Sequence, residues 1–134
     1  MSLFLWNDKY SVEVNEIDIQ HKKLFEIANR LFEAMKAGES KSVMTRVLME
    51  LEDYTKYHFK KEEAYMKEFG YEAYPQHRKE HNYFVKKISQ FRDDYKNGKV
   101  TISIELMTFL SNWLINHICV IDKSYSSLFM ESGL

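Results

Sequence analysis

Proline occurs once, cysteine once and glycine four times in 134 residues. So few chain breakers leave little material for the turns of a β-sandwich or barrel, and they favour long helices. The lone Cys119 has no partner for an intramolecular disulfide, which excludes a disulfide-stapled scaffold and fits a reducing compartment. An excess of either charge is missing too. Lys plus Arg number 19 against 20 Asp plus Glu, a net charge of −1. A chain without a basic excess offers little to neutralise phosphates, which argues against nucleic-acid binding. No apolar run of about 18 residues is present to span a membrane. The opening Met-Ser-Leu-Phe-Leu-Trp turns polar at Asn7 and lacks both the length and the basic leader of a signal peptide. The expected location is the cytoplasm, with no membrane insertion. What is present is ordinary for a globular domain: 45% hydrophobic and 29% charged residues, enough apolar surface to exclude disorder, in a length that suits one domain.

Breaks fall at Gly38, around residues 70–75, and at Asn97-Gly98. They separate four segments with helical spacing of apolar residues. The first covers about residues 17–36, with Ile17, Leu24, Ala28, Leu31 and Met35 on one stripe. The second covers about residues 40–69, with Met44, Val47, Leu51, Tyr54 and Tyr65. The third follows Pro75, a residue suited to a first helical turn, and carries Phe84, Ile88, Phe91 and Tyr95. The fourth covers about residues 101–117, with Leu106, Leu110 and Trp113. Residues 1–16 read as an extended arm, and the segment 123–134 leaves room for a short last helix. Four amphipathic helices with short connections predict an all-α, up-down-up-down bundle.

The five histidines, His21, His58, His77, His81 and His117, all fall on these apolar stripes. Glu62 continues the line of His58. A single histidine on a core face is usually an ordinary core residue, but five on four stripes are not explained by packing, and a buried ionised Glu62 needs a partner. The topology is an independent check. His21 starts the first helix, His58 and Glu62 end the second, His77 and His81 start the third, and His117 ends the fourth. Starts of odd helices and ends of even helices share one end of an up-down bundle, so all of these residues meet at one depth. His58-x-x-x-Glu62 and His77-x-x-x-His81 are four apart, about 40° around a helix, so each pair can grip one site. Asp122 lies five beyond His117, about 140° around an ideal helix. Either the helix bends or bulges there, or Asp122 lies on a following turn.

Five imidazoles and two carboxylates exceed the four positions of a structural zinc site, although His77-x-x-x-His81 alone could be half of one. Thiolates are absent apart from Cys119, which excludes iron–sulfur clusters. Mixed imidazole and carboxylate suits two iron ions of near-octahedral preference. The Glu-x-x-His motifs of ferritin-like di-iron proteins do not occur.

These residues resemble the hemerythrin family, most closely its single-domain bacterial members. The matching elements are Asp18-Ile19-Gln20-His21, His58-Phe59-x-x-Glu62, His77-x-x-x-His81 and Trp113-Leu114-x-x-His117-Ile118-x-x-x-Asp122-x-x-Tyr125, with Trp6 in an aromatic arm. They run in order through nearly the whole chain. The resemblance implies one hemerythrin-like domain over 1–134, with an arm (1–16), a metal-binding bundle (17–122) and a C-terminal segment (123–134). It also implies the ligand roles. His77, His81 and His117 would hold one iron, and His21 and His58 the other. Glu62 and Asp122 would bridge the two, together with an oxo or hydroxo group. The first ion then has six ligands, while the second, with five, keeps a position open for O2. The pair would cycle between Fe2+ and Fe3+.

Leu24, Phe59, Trp113, Leu114 and Ile118 flank these positions and would line a dry O2 pocket, a role that does not conflict with core packing. Tyr125 matches a family tyrosine near the site. Gln20 either supports a neighbouring ligand or is polar surface, and Asp18 is expected to serve the first turn of its helix. The implied function is reversible O2 binding for carriage, storage or delivery, with no catalytic residues and no enzyme activity. The partners would be O2 and an oxygen-consuming enzyme or a reductase. The alternatives are a di-iron oxidoreductase acting on peroxide or nitric oxide, and O2 sensing through a partner. The oxidoreductase needs an acid or base beside the open position, and the sequence shows none.

Overall fold

The structure, a computed structural model, describes residues 6, 10–98, 102–117 and 122–133, with residues 102–104 described by backbone alone. Four helices carry the fold: α1 (Asn15–Lys36), α2 (Lys41–Phe69), α3 (Tyr74–Lys96) and α4 (Ile102–Asn116). A 3-10 turn over Asp122–Tyr125 leads into a short α5 (Ser126–Glu131).

Local chemistry explains most of the boundaries. Ser40 caps α2, its hydroxyl accepting from the Val43 N–H at 3.3 Å. Gly70 ends that helix in the left-handed region at φ 71°, and the Tyr71 N–H closes on the Met66 carbonyl at 2.8 Å. Pro75 sits in the first turn of α3, where its missing N–H costs nothing. The first helix begins at Asn15, two residues earlier than the periodicity of its apolar stripe predicts. Its start rests on polar contacts that periodicity does not read. The carboxylate of Asp18 accepts from the Val12 N–H at 2.9 Å and from the Ser11 hydroxyl. Asp18 therefore serves the junction between arm and helix by holding the preceding chain, rather than by capping its own turn.

Among the four main helices, α1 packs on α2, α2 on α3, α3 on α4 and α4 on α1. With short connections this is the predicted bundle. Its main core includes Leu24, Leu31, Leu48, Leu51, Phe84, Ile88, Leu106 and Leu110. A second apolar cluster of Val12, Val14, Ile17, Met66, Tyr125 and Phe129 joins the arm, the ends of α1 and α2, and α5. On α1, His21 lies between Ile17 of one cluster and Leu24 of the other. On α2, His58 and Glu62 lie between Leu51 and Met66. A polar layer is thus enclosed between two apolar ones. Met35, Val47, Tyr54, Tyr65, Tyr95 and Trp113, expected on the apolar stripes, are only half-buried. They flank the core, because each helix buries a stripe narrower than its full apolar content.

His117 ends the described stretch that holds the fourth helix, and Asp122 opens a 3-10 turn of its own. Asp122 is thereby freed from the angular spacing of an ideal helix. Residues 118–121, including Ile118 and Cys119, lie outside the described residues, as do residues 1–5 and 7–9 of the arm. Of the arm, Trp6 and Tyr10 pack edge-on against Phe25, with Lys22 over the Trp6 ring. Among the described residues, no helix is long and apolar enough to cross a membrane.

Candidate metal centre

All five histidines, Glu62 and Asp122 are at most 2% exposed. They fall into two groups whose donor atoms lie within 4.8 Å of one another: Glu62, His77, His81, His117 and Asp122 in one, His21, His58, Glu62 and Asp122 in the other. The two carboxylates belong to both. Each ring turns Nε2 inward. His77 Nε2 lies 2.7 Å and His117 Nε2 2.9 Å from Asp122 Oδ1, while His21 Nε2 lies 3.0 Å from Oδ2. His58 Nε2 is 3.0 Å and His81 Nε2 3.4 Å from Glu62 Oε1. His81 and His117 bring their Nε2 atoms to 3.2 Å of each other. All seven sequence-predicted ligands therefore meet in one layer.

The electrostatics follow from burial against pairing. Burial alone would lower the pKa of His21, but Asp122 and Glu62 outweigh it and raise it to about 9. His81 likewise rises to about 9, with Glu62 and Glu63 overcoming burial. For His58 burial wins and the pKa falls, despite Glu62. Burial pushes Glu62 upward, yet the surrounding imidazoles, His58 foremost, hold it well below the usual carboxylate range. Asp122 is held low in the same way, with burial and Glu62 opposed by His117 and His21. Burial and the two carboxylates raise the Tyr125 phenol well above its ordinary value, so it stays protonated.

Four inward-facing atoms, His21 Nε2, His58 Nε2, Glu62 Oε1 and Asp122 Oδ2, are buried without a hydrogen bond. Their close neighbours lie off hydrogen-bond geometry, as donors aimed at a common point would. Each such group costs about 1–3 kcal/mol when left unsatisfied. A cation in each group would satisfy them. The donor set, imidazole and carboxylate without thiolate, fits iron.

Around this layer, Gln20 is buried and its side-chain oxygen accepts from His58 Nδ1 at 2.6 Å. It supports a site histidine and is not surface. The Tyr125 hydroxyl donates to Glu62. Phe59 stacks on His81 with ring centroids 3.8 Å apart, and Trp113 on His117 at 4.1 Å. Leu24 and Leu114 are fully buried in the main core beside Phe59. Ile118, the fifth expected pocket residue, lies outside the described residues. One carboxylate at the site escapes the sequence reading, which found no free acid or base there. Glu63 reaches His81 Nδ1 at 3.0 Å. Its signal was weak, an acid within the polar run Lys60-Lys61-Glu62-Glu63, where only Glu62 continues the stripe of His58.

Comparison with known proteins gives a consistent result. Residues 12–129 match the family model described as the hemerythrin HHE cation binding domain. The bacteriohemerythrin of Stenotrophomonas maltophilia is 36% identical over 126 residues, covering 94% of this chain and 81% of that protein. That of Clostridium acetobutylicum is 33% identical over 129 residues, covering 92% and 98%. A crystal structure of wild-type hemerythrin superposes with a TM-score of 0.87 at 30% identity, covering 95% of this chain and 98% of that one.

Proposed function

Because the chain belongs to the hemerythrin family, we propose that it binds O2 reversibly at a carboxylate-bridged pair of iron ions and is a binding protein, not an enzyme. One observation carries the reading: two donor groups of unequal histidine content share both Glu62 and Asp122. His77, His81 and His117 would hold one ion, and His21 and His58 the other. When bound, the iron pair supplies reversible electron donation to O2 at the ion that has fewer protein ligands.

The chain's own residues shape that chemistry. The five rings present Nε2 to the centre, which requires a neutral imidazole with its proton on Nδ1. Gln20 fixes that tautomer at His58 by accepting from Nδ1. The hydroxyl of Tyr125 occupies Glu62 Oε2 and thereby orients the carboxylate, leaving Oε1 turned inward. Phe59 covers the face of His81 and Trp113 that of His117, and the buried Leu24 and Leu114, one turn from His21 and His117, would add hydrocarbon to the wall. Together with Ile118 they would form the dry pocket that excludes water and limits oxidation of the iron by the O2 it binds.

The test is iron analysis and absorption of protein made in iron-replete cells. We expect about two irons per chain, and a visible band that forms on air exposure of the reduced protein and disappears on deoxygenation. One zinc and no iron would overturn the reading. So would a band that decays only as a reductant is consumed, since that marks an oxidoreductase.

A further inference from the structure

Of the five inward-facing rings, His21, His77 and His117 have no hydrogen bond at Nδ1. The two that do are held differently. His58 faces Gln20, a neutral amide, whereas His81 faces Glu63, a carboxylate. Glu63 sits on α2 one turn after Phe59, and both meet the same ring from α3. Phe59 covers its face, nearly parallel at 5°, and Glu63 Oε2 holds its edge at 3.0 Å. The other carboxylate oxygen lies 3.9 Å from Arg78 Nε, one turn before His81 on α3. Glu63 is one-fifth exposed and opens onto a groove of about 760 Å³ between α2 and α3. The seven donor residues behind it are buried.

We propose that Glu63 is a positioning residue that locks the His81 ring toward the centre and strengthens the hold on the ion that His81 shares with His77 and His117. The inference rests on the di-iron reading above and adds to it a difference between the two ions. A charged acceptor at Nδ1 fixes the ring's tautomer and makes Nε2 a stronger donor than a neutral acceptor does. The group of His77, His81 and His117 therefore has an anionic outer partner. Among the described residues, the group of His21 and His58 has only the Gln20 amide. The first ion is the more tightly held, and its higher oxidation state is favoured.

The experiment is an anaerobic titration of the metal-free protein with Fe2+ against a competing chelator, on wild type, Glu63→Gln, Glu63→Ala and Glu80→Gln. Loss of such an outer partner weakens metal binding by about 10- to 100-fold. Glu63→Gln should weaken one of the two Fe2+ equivalents toward the lower figure and Glu63→Ala toward the higher, with the second equivalent unchanged. In Glu80→Gln the same charge is lost one residue from His81 without the hydrogen bond, and both equivalents should bind as in wild type. The midpoint potential of the loaded Glu63→Gln protein should rise, because the anion favouring the ferric ion is gone. Wild-type affinity for both equivalents in both Glu63 variants would overturn the proposal, as would equal weakening by Glu80→Gln. If Glu63→Ala fails to fold, as judged by circular dichroism, the isosteric Glu63→Gln decides alone. Two Fe2+ bound by wild type with no response to O2 would remove the O2 function and leave this proposal standing.

Discussion

His21 belongs to the smaller donor group, where His58 is the only other histidine. Its side chain is fully buried, and its Nε2 faces Asp122 and Glu62 off hydrogen-bond geometry, so in the loaded protein its contribution comes through coordination. His21→Ala should therefore lower iron content toward about one ion per chain and abolish O2 binding, while the helical spectrum is retained. Iron content and an O2 response equal to wild type would remove His21 from the ligands. This residue was legible in the sequence because it fills a gap in an apolar stripe, between Ile17 and Leu24. Gln20 and Glu63 were not legible in the same way. Each lies beside a ligand in sequence, Gln20 at the edge of the apolar stripe, where supporting residue and polar surface both remain open, and Glu63 on the polar face. Only the ring orientation of a histidine on another helix, His58 for Gln20 and His81 for Glu63, reveals their role.

The helices bring these residues to one depth, and their ends set that depth. Gly70 is instructive because a Cβ there would meet nothing within 4 Å, yet its φ is 71°. A substitution thus tests backbone conformation alone. An L-residue in the left-handed region costs roughly 1–2 kcal/mol. Gly70→Ala should lower the Tm of the metal-free protein by a few degrees, with two irons still bound, because His58 and Glu62 lie two turns or more upstream. A change in iron stoichiometry would show instead that the α2 terminus positions the centre. The boundaries of α2 and α3 were readable from Ser40, Gly70 and Pro75, whose chemistry is local. The start of α1 was less so, because Asp18 anchors it to Val12 and Ser11 in the arm. The placement of Asp122 was open for a related reason. An ideal helix puts it off the face of His117, and the 3-10 turn that corrects this carries no distinctive composition.

At the scale of the whole molecule, a charged layer is enclosed between the main core and the cluster of Val12, Val14, Ile17, Met66, Tyr125 and Phe129. Without metal, that layer is held together by protons. Raised to about 9 in the folded chain from 6.5, the pKa values of His21 and His81 make both rings cations at neutral pH. A group whose folded pKa is raised stabilises fully below its unfolded pKa, and that contribution disappears as pH rises through the folded one. The Tm of the metal-free protein should therefore fall between about pH 6.5 and 9. At the acid end the sign reverses. Glu62 and Asp122 have depressed pKa values, so their contribution is present above the ordinary carboxylate range and is lost as pH falls below it. Metal changes the alkaline limb. Coordinated imidazoles must be neutral, so loading displaces the protons from His21 and His81, and the ions supply the positive charge instead. The iron-loaded protein should then melt higher than the metal-free one and show little pH dependence between 6.5 and 9, and iron uptake at pH 7 should release protons. Thermal melts of chelated and loaded protein at pH 6, 7.5 and 9, with proton release followed in weakly buffered solution, read all three. Parallel pH profiles for the two forms would show that His21 and His81 are already neutral before metal arrives, and would overturn the proton-held layer.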